Sequence, residues 1–219
     1  MGRNDTLTRI AATGVVPVVR AASGEEALAV VEAIRAGGVD VIELTMTVPG
    51  AIEVIRELAR RCGEDVVLGA GTVLDAETAR ACMLAGARFV VSPILDEPTV
   101  AYCRTYGVPA MPGALTPTEV VRAWRVGAAM VKVFPCSALG GASYIKALKA
   151  PLPQIDLLPT GGVSLATAGD FIRAGASAVG AGADLVDLGR IRAGQPAAIT
   201  EKAREYVQAV ARARAQAGG

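Results

Sequence analysis

AGGVDVIELT, residues 36–45, is the first of four similar junctions that decide the fold. In each junction a small residue and a glycine end a helical pattern, as a helix C-cap requires, and a β-branched apolar run follows at once. The other three are AGARFVVSP from Ala85, VGAAMVKVFP from Val126 and AGASAVGAG from Ala174. This internal repeat predicts that helices and buried strands alternate along the chain.

Four more segments between these junctions are predicted to be strands. They are GVVPVVR (14–20), DVVLGAG (65–71), GVPAMPG (107–113) and QIDLLPTGG (154–162). A helix between successive strands forces parallel pairing with a right-handed crossover, and eight such units can close into a barrel. We therefore predict an α/β fold, a (β/α)8 TIM barrel with a short N-terminal helix over 3–12. Because a sequence does not reveal closure, a doubly wound α/β sheet stays open as the alternative.

The composition predicts one domain with an aliphatic core. Of the 219 residues, 52% are hydrophobic and only 4% aromatic, so Ala, Val, Leu and Ile must fill the interior. Since α/β barrels reach about 250 residues as a single unit, we predict one domain over 1–219.

Charge and hydropathy favour a small-molecule partner. The 22 basic and 21 acidic residues are spread along the chain, so the sequence shows no basic patch for nucleic acid. Its apolar runs are shorter than the roughly 20 residues that cross a bilayer, which predicts no membrane partner. The N-terminal MGRNDTLTRIAATG lacks the features of a secretory signal, so we expect a cytoplasmic protein.

Two residue types limit the chemistry. The cysteines, at 62, 82, 103 and 136, form no C-x-x-C pair, which favours reduced thiols over a disulfide framework or a zinc site. Histidine is absent, which removes the commonest general base and the commonest transition-metal ligand. We expect Glu, Asp, Lys or Tyr to carry any acid–base step.

The C-terminal ends of the predicted strands hold the candidate site, because barrel active sites form there. These ends are polar or rich in glycine. In chain order they contain Arg20, Glu43 with Thr45 and Thr47, Gly69 to Thr72, Ser92 with Pro93, Met111 to Gly113, Lys132 with Phe134, Thr160 to Gly162, and Gly180 to Gly182.

Lys132 is the most informative of these residues, since its charged side chain lies within a predicted apolar strand, AAMVKVFP. Side chains alternate along a strand, so Met130, Lys132 and Phe134 share one face. If that face is the barrel interior, burial favours the neutral amine, which is a nucleophile toward a carbonyl carbon. The competing interpretation is a lysine that reaches solvent from the strand end, or that pairs with a carboxylate for structure alone.

Glu43 is the acidic group among these strand ends, and it shares a face with Val41 and Thr45. Facing Lys132 across a small barrel, its carboxylate could relay protons. A static ion pair with the lysine is the alternative.

The ends of the last two predicted strands are glycine-rich. Thr160-Gly161-Gly162 and Gly180-Ala181-Gly182 lie where barrels bind phosphate, on backbone N–H groups and the start of a short extra helix. Glycine also serves ordinary tight turns, so both interpretations stay open.

Taken together, these strand ends resemble the 2-keto-3-deoxy-6-phosphogluconate (KDPG) aldolase and 4-hydroxy-2-oxoglutarate (KHG) aldolase family of class I pyruvate aldolases. The matching blocks run nearly end to end in one order. They are VVPVVR (15–20), GGVDVIELT (37–45), LGAGTVL (68–74), VVSPILD (90–96), MPGALTPTE (111–119), VKVFP (131–135), YIKALKAPLP (144–153) and LLPTGGV (157–163).

The resemblance implies a homotrimer of (β/α)8 barrels that reversibly cleaves a keto acid to pyruvate and an aldehyde, with neither metal nor cofactor. It also implies that Lys132 is the Schiff-base lysine and Glu43 the proton-transferring glutamate. The residues implied for the pyruvate end are Thr72, Pro93, Phe134 and Thr160. Those implied for the phosphate loops are Gly161, Gly162 and Gly182.

Two positions depart from the family pattern. Thr47 stands where many members have an arginine, and we predict that Arg20 binds the pyruvate carboxylate in its place. Ala183, in the last phosphate-binding loop, stands where the family usually has a serine, and Asp184 follows it. Without that hydroxyl, anion binding rests on backbone groups, so an unphosphorylated keto acid becomes a second candidate substrate.

Two other functions stay open on the sequence. One is a phosphate-binding barrel enzyme of another class, an epimerase or a synthase, in which Lys132 would be an ion-pair partner. The other is a non-catalytic oligomeric protein that keeps the fold, since a fold does not by itself establish chemistry.

Overall fold

The structure is a computed structural model that describes residues 2–217. Helices and strands alternate, which confirms the predicted α/β class. The helices are α1 (Arg3–Thr13), α2 (Gly24–Ala36), α3 (Ala51–Cys62), α4 (Ala76–Ala85), α5 (Glu97–Thr105), α6 (Pro117–Arg125), α7 (Ala142–Lys149), α8 (Leu165–Arg173), α9 (Leu188–Arg192) and α10 (Pro196–Ala217), with a 3-10 turn over Cys136–Leu139. The strands are β1 (Val15–Val19), β2 (Val41–Thr45), β3 (Val67–Gly71), β4 (Phe89–Val91), β5 (Ala110–Met111), β6 (Gly113–Ala114), β7 (Val131–Val133), β8 (Leu157–Pro159) and β9 (Val179–Ala181). The predicted N-terminal helix is α1, and residues 1, 218 and 219 lie outside the described residues.

The strands form a curled, parallel sheet in two parts. Six strands lie in the order β5-β4-β3-β2-β1-β9, and three lie in the order β6-β7-β8. A parallel bridge between Thr160, just after β8, and Gly180 on β9 links the two parts. The register pairs Glu43 with Gly69 on β3, and Lys132 with Leu158 on β8. Both ionisable side chains therefore arise from within the sheet.

One predicted strand, 107–113, is divided at Pro112 into β5 and β6. Proline has no N–H to donate to a strand ladder, so it interrupts the pairing. The N–H of Gly113 donates instead to the carbonyl of Ile94, at 3.0 Å. Residues 2–217 therefore contain nine short strands where the sequence predicts eight.

Apolar side chains pack on both sides of the sheet. The larger cluster lies between the sheet and its helices, and a smaller one fills the inside of the curl together with α1. The buried members of the inner cluster are Ile10, Val16, Val41, Val67, Phe89, Val91, Met111, Met130, Leu158 and Ala178. Since Val41 and Met130 belong to it, alternation puts Glu43 and Lys132 on the inner side as well.

The four cysteines are free thiols. Burial raises the pKa of Cys82, Cys103 and Cys136 to about 11, so these thiols stay protonated near neutral pH.

Among the helices of residues 2–217, none combines the length and the hydrophobicity needed to span a bilayer.

Replacing Ile10 by Ala is expected to lower the free energy of unfolding by about 2–5 kcal/mol, because the side chain is fully buried in the inner cluster and its removal leaves a cavity. Chemical denaturation at one protein concentration measures the difference from wild type. Leu84→Ala is the control, since Leu84 is 68% exposed and a change of about 0.5 kcal/mol or less is expected. Equal effects of the two substitutions would contradict the packing of α1 into the curl.

Candidate active site

The predicted site residues lie at or near the carboxyl ends of the strands, in four groups. Lys132 and Glu43 are buried on the inner side, and Thr47 and Thr72 follow β2 and β3. A cavity of about 250 Å³ is lined by Arg20, Phe134, Thr160, Gly161, Gly162, Gly182 and Ala183, among others. A second cavity, of about 370 Å³, includes Pro93 and Phe134 in its wall. Within the described chain, no group of three or more Cys, Asp or Glu side chains is arranged to hold a metal ion.

Lys132 and Glu43 form a buried ion pair between β7 and β2. The Nζ of Lys132 lies 3.7 Å from Oε1 of Glu43, and the side chains are 3% and 1% exposed. This separation exceeds the length of a hydrogen bond, so the two groups attract each other without sharing a proton. Replacing buried ion pairs by apolar residues is often neutral or stabilising, because both charges must be desolvated. A chemical role therefore explains this pair better than fold stability does.

The carboxylate of Glu43 is accommodated by a glycine on the next strand and accepts no hydrogen bond from residues 2–217. Both of its oxygens are buried, and neither accepts a hydrogen bond from residues 2–217. Gly71 on the next strand provides the room, since a Cβ at that position would come within 2.0 Å of Oε1. Leaving a buried acceptor unpaired costs about 1–3 kcal/mol, and more for a charged group. The oxygens are thus available to a donor on a bound molecule.

The ring of Phe134 lies over the lysine amine. The Nζ of Lys132 is 5.3 Å from the ring centroid, within the range at which an aromatic face attracts a cation. The ring therefore stabilises a positive charge on this nitrogen, whether it belongs to an ammonium or to an iminium. Phe134 also lines both cavities, so one side chain connects the ion pair to the space around it.

The two threonines after β2 and β3 differ in what they can do. Thr72 has a φ of +60°, the one positive value for a non-glycine residue within 2–217. For a β-branched residue this backbone costs about 1–3 kcal/mol, and such strain clusters at functional sites. The hydroxyl of Thr45 donates to the carbonyl of Val19, at 3.2 Å, and lies 2.6 Å from the hydroxyl of Thr47, a contact in which either oxygen can be the donor.

Two glycine-rich loops contribute unpaired N–H groups to the 250 Å³ cavity. The backbone N–H groups of Gly161, Gly162, Gly182 and Ala183 find no acceptor in residues 2–217. Gly161 and Gly162 have φ values of +90° and +76°, which residues with a side chain rarely adopt, so this loop requires glycine. Successive unpaired N–H groups are a common anion-binding feature.

The sequence predicts that the start of a short extra helix helps these loops to bind phosphate. Helix α9 does not offer free N–H groups for this role. It begins at Leu188, and the N–H groups of Gly189 and Arg190 donate to Oδ1 of Asp187, at 2.9 and 3.3 Å. Its first donors are therefore already paired. Among the backbone groups here, the loops rather than this helix would bind an anion.

Asp184 ties the last loop to two helices. Its Oδ2 accepts from the N–H of Leu165, at the start of α8, and from the hydroxyl of Tyr206, while its Oδ1 lies 3.1 Å from Nζ of Lys202. Partial burial acts to raise the pKa of Asp184, but the hydrogen bonds from Tyr206, Lys202 and Leu165 outweigh it and hold that pKa below its usual value. Burial also raises the pKa of Tyr206. Sequence reasoning missed Lys202 and Tyr206, and the available signal was their i, i+4 spacing on α10, which puts both on one helix face.

Arg20 lies beside the same loop. A Cβ on Gly182 would be 3.7 Å from Nη1 of Arg20. The cavity that Arg20 lines includes the glycine loops and Asp184 but not Lys132 or Glu43. The structure thus puts this guanidinium next to the predicted phosphate loops.

Comparisons with known proteins point to one family. The family model described as "KDPG and KHG aldolase" matches residues 7–202. The 2-dehydro-3-deoxy-phosphogluconate aldolase of Treponema pallidum (strain Nichols) is 36% identical over 196 residues, which cover 90% of this chain and 93% of the relative. The KHG/KDPG aldolase of Escherichia coli (strain K12) is 36% identical over 194 residues, 89% of this chain and 91% of the relative. A solved structure of the KDPG aldolase of Legionella pneumophila holds pyruvate captured at low pH as a covalent carbinolamine intermediate. It superposes on this chain with a TM-score of 0.84 at 30% identity, and the match covers 91% of this chain and 96% of the Legionella pneumophila chain.

Asp184→Asn is expected to weaken the dependence of stability on acidic pH. The pKa of this carboxyl is lower in the folded chain than its ordinary value of about 3.9, so its contribution is present above that value and is lost as the pH falls through the folded-state pKa. Between about pH 7 and about pH 3, the free energy of unfolding of the wild type should fall further than that of the variant. Asp170→Asn, in an exposed ion pair with Arg173, is the control and should keep the wild-type dependence. A pH dependence unaltered by Asp184→Asn would refute the role given to Tyr206 and Lys202.

Proposed function

Because the chain belongs to the KDPG and KHG aldolase family, and is thus an enzyme of the lyase class, we propose that it is a class I aldolase acting on a 2-keto-4-hydroxy acid. The reaction reversibly cleaves the bond between C3 and C4 and releases pyruvate and an aldehyde. The candidate substrates are 2-keto-3-deoxy-6-phosphogluconate, which gives D-glyceraldehyde 3-phosphate, and 4-hydroxy-2-oxoglutarate, which gives glyoxylate. The observation that carries the proposal is the buried amine of Lys132, 3.7 Å from a carboxylate of Glu43 that accepts no hydrogen bond from residues 2–217.

In this proposal Lys132 forms the covalent bond to the substrate. Glu43 takes a proton from the ammonium, and the neutral amine attacks the C2 carbonyl carbon to give a carbinolamine. Glu43 then returns the proton to the carbinolamine hydroxyl, which leaves as water, and an iminium forms over the ring of Phe134. The carbinolamine of pyruvate captured in the Legionella pneumophila relative supports the first of these steps.

Glu43 also serves the cleavage step. Its carboxylate removes the proton of the C4 hydroxyl, the C3–C4 bond breaks, and its electron pair moves into the iminium to form the enamine of pyruvate as the aldehyde departs. Glu43 then delivers the proton to C3, and water hydrolyses the resulting iminium to pyruvate and free Lys132. Since Lys132, Glu43 and water account for every proton and electron pair, the proposal requires neither metal nor cofactor.

The surrounding residues divide between the two ends of the substrate. We assign to the pyruvate end Thr72, Pro93, Phe134 and Thr160. The N–H groups that we assign to the far end belong to Gly161, Gly162, Gly182 and Ala183. Their lack of other acceptors supports this division, because an anion there would satisfy them.

The proposal includes a closed (β/α)8 barrel in a single domain over 1–219. The bridge from Thr160 to Gly180 supports closure on one side. On the other side, the N–H of Ala129 donates to the carbonyl of Ala110 at 2.8 Å, and that of Lys132 donates to the carbonyl of Pro112 at 2.9 Å. Homotrimer formation stays a prediction from the family resemblance, and a cytoplasmic location stays one from the N-terminal sequence.

Family membership weighs against the two functions that the sequence left open. The family model that matches residues 7–202 of this chain describes aldolases and neither epimerases nor synthases. A non-catalytic protein would gain little from keeping this costly ion pair.

Purified protein is expected to release pyruvate from at least one candidate substrate, at a rate that EDTA does not change. Coupling to lactate dehydrogenase measures the pyruvate. Lys132→Met should abolish release, because a thioether forms no imine, and Glu43→Gln should slow it by about 10²–10⁴-fold, the usual contribution of a positioned acid–base group. Circular dichroism shows whether each variant is folded. Full activity in folded Lys132→Met would contradict the proposal. Activity that EDTA abolishes and a metal ion restores would also contradict it.

A further inference from the structure

The carboxylate of Glu43 is held in place by packing rather than by hydrogen bonds. Neither of its oxygens accepts a hydrogen bond from residues 2–217, and the amine of Lys132 attracts it from 3.7 Å without sharing a proton. The attraction between two charges depends on their distance and, unlike a hydrogen bond, sets no preferred angle. The neighbouring side chains must therefore decide where this carboxylate lies.

The side chain of Glu43 leans over β3 toward the carboxyl end of the strands. Its own register partner on β3 is Gly69, but its carboxylate lies over Gly71, two residues farther along the same face. A Cβ at Gly71 would come within 2.0 Å of Oε1 of Glu43 and within 2.6 Å of its Cγ and Cδ. The space over Gly69 is thus left to another side chain.

The ring of Phe89 fills that space. A Cβ at Gly69 would come within 2.3 Å of Cε2 and Cζ of this ring. Phe89 is the register partner of Gly69 on β4, is fully buried and belongs to the inner apolar cluster. Successive inward positions on a strand are about 7 Å apart, so the ring and the carboxylate of Glu43 occupy neighbouring positions over β3.

We propose that Phe89 is a positioning residue for Glu43. Its ring excludes the carboxylate from the space over Gly69 and so keeps it over Gly71, beside the amine of Lys132. This role rests on the proposed function, in which Glu43 is the proton carrier, and Phe89 acts only through it. Because an error of about 1 Å in the position of a reacting group can cost about 100-fold in rate, a smaller side chain here should slow proton transfer.

Exchange of the C3 protons of pyruvate for deuterium in D2O isolates the step in which Glu43 acts. Lys132 forms the iminium with pyruvate, and the carboxylate removes a proton from C3 to give the enamine. The carboxyl group exchanges its proton with the solvent and returns a deuteron to C3. Proton NMR follows the loss of the methyl signal, and no aldehyde is needed.

Phe89→Leu, which lacks the far end of the ring, should exchange about 10–100-fold more slowly than wild type. Phe89→Met, whose unbranched side chain refills part of the space, should recover part of the rate. Circular dichroism shows whether each variant is folded, and Phe89→Met carries the comparison with wild type where Phe89→Leu does not fold.

Two further measurements separate positioning from a general loss of structure. The KM for pyruvate, and the yield of adduct that borohydride traps on Lys132 at saturating pyruvate, should stay close to wild type in Phe89→Leu. Gly69→Ala should slow exchange in wild type, because its methyl group meets the ring of Phe89. In the Phe89→Leu background the same methyl group should raise the rate, because it fills the vacated space.

Ile10→Val is the matched control. Ile10 is a fully buried member of the same inner cluster, and it lies on α1 rather than on the strands beside Glu43. This variant should exchange pyruvate protons at the wild-type rate. A wild-type rate in folded Phe89→Leu would overturn the proposal. An equal fall in Ile10→Val and Phe89→Leu would overturn it too, because the loss would then follow from core packing in general.

A wild type that neither exchanges pyruvate protons nor cleaves a substrate would reject the proposed function, and the role of Phe89 would then be tested by crystallography. In the crystal structure of Phe89→Leu, Oε1 of Glu43 should lie farther from Nζ of Lys132 than in wild type solved in the same crystal form. An unchanged position of the carboxylate would contradict the role given to the ring.

Discussion

A lysine and a glutamate held 3.7 Å apart inside a curled sheet constrain the structure around them. Two buried charges must be compensated locally, because water does not solvate them. The lysine has the glutamate and the ring of Phe134, whereas the glutamate has the lysine and two unpaired oxygens. Gly71 leaves space for the carboxylate, and α1 packs with the inner apolar cluster inside the curl. The arrangement is poor for stability alone and suitable for moving a proton between two atoms.

The polar parts of the site are separated by function. At the buried end, the amine of Lys132 lies between the carboxylate of Glu43 and the ring of Phe134, and in the proposed mechanism the amine attacks the carbonyl carbon while the carboxylate carries the protons. At the cavity end, the guanidinium of Arg20 lies near backbone N–H groups that find no acceptor within residues 2–217. The network of Asp184, Tyr206 and Lys202 holds the last loop to α8 and α10, and it also keeps a carboxylate from cancelling Arg20. A molecule with an electrophilic carbonyl at one end and an anion at the other fits both.

The features of the protein that were predictable from the sequence depend on local patterns. The α/β alternation was predictable because the helix-to-strand junction repeats, and Lys132 and Glu43 stood out because a charge is rare in an apolar strand. The division of one strand at Pro112 was not predicted, although the missing N–H of proline is its cause. Leu165 and Tyr206, two of the partners of Asp184, are 19 and 22 residues away from it in the chain, so only the folded arrangement brings them together. Arg20 follows a strand between β2 and β9, and the sequence did not show toward which of them its side chain turns.

The central claim is that Lys132 forms an imine, and reduction with sodium borohydride in the presence of pyruvate tests it most directly. The chain has four lysines, at 132, 146, 149 and 202, so peptide mass spectrometry can assign an adduct to one of them. The peptide containing Lys132 is expected to gain the mass of a reduced pyruvate adduct. The corresponding peptide of Lys132→Met is expected to gain no such mass. An unmodified Lys132 peptide from protein that cleaves substrate, or an adduct on Lys146, Lys149 or Lys202 instead, would contradict it.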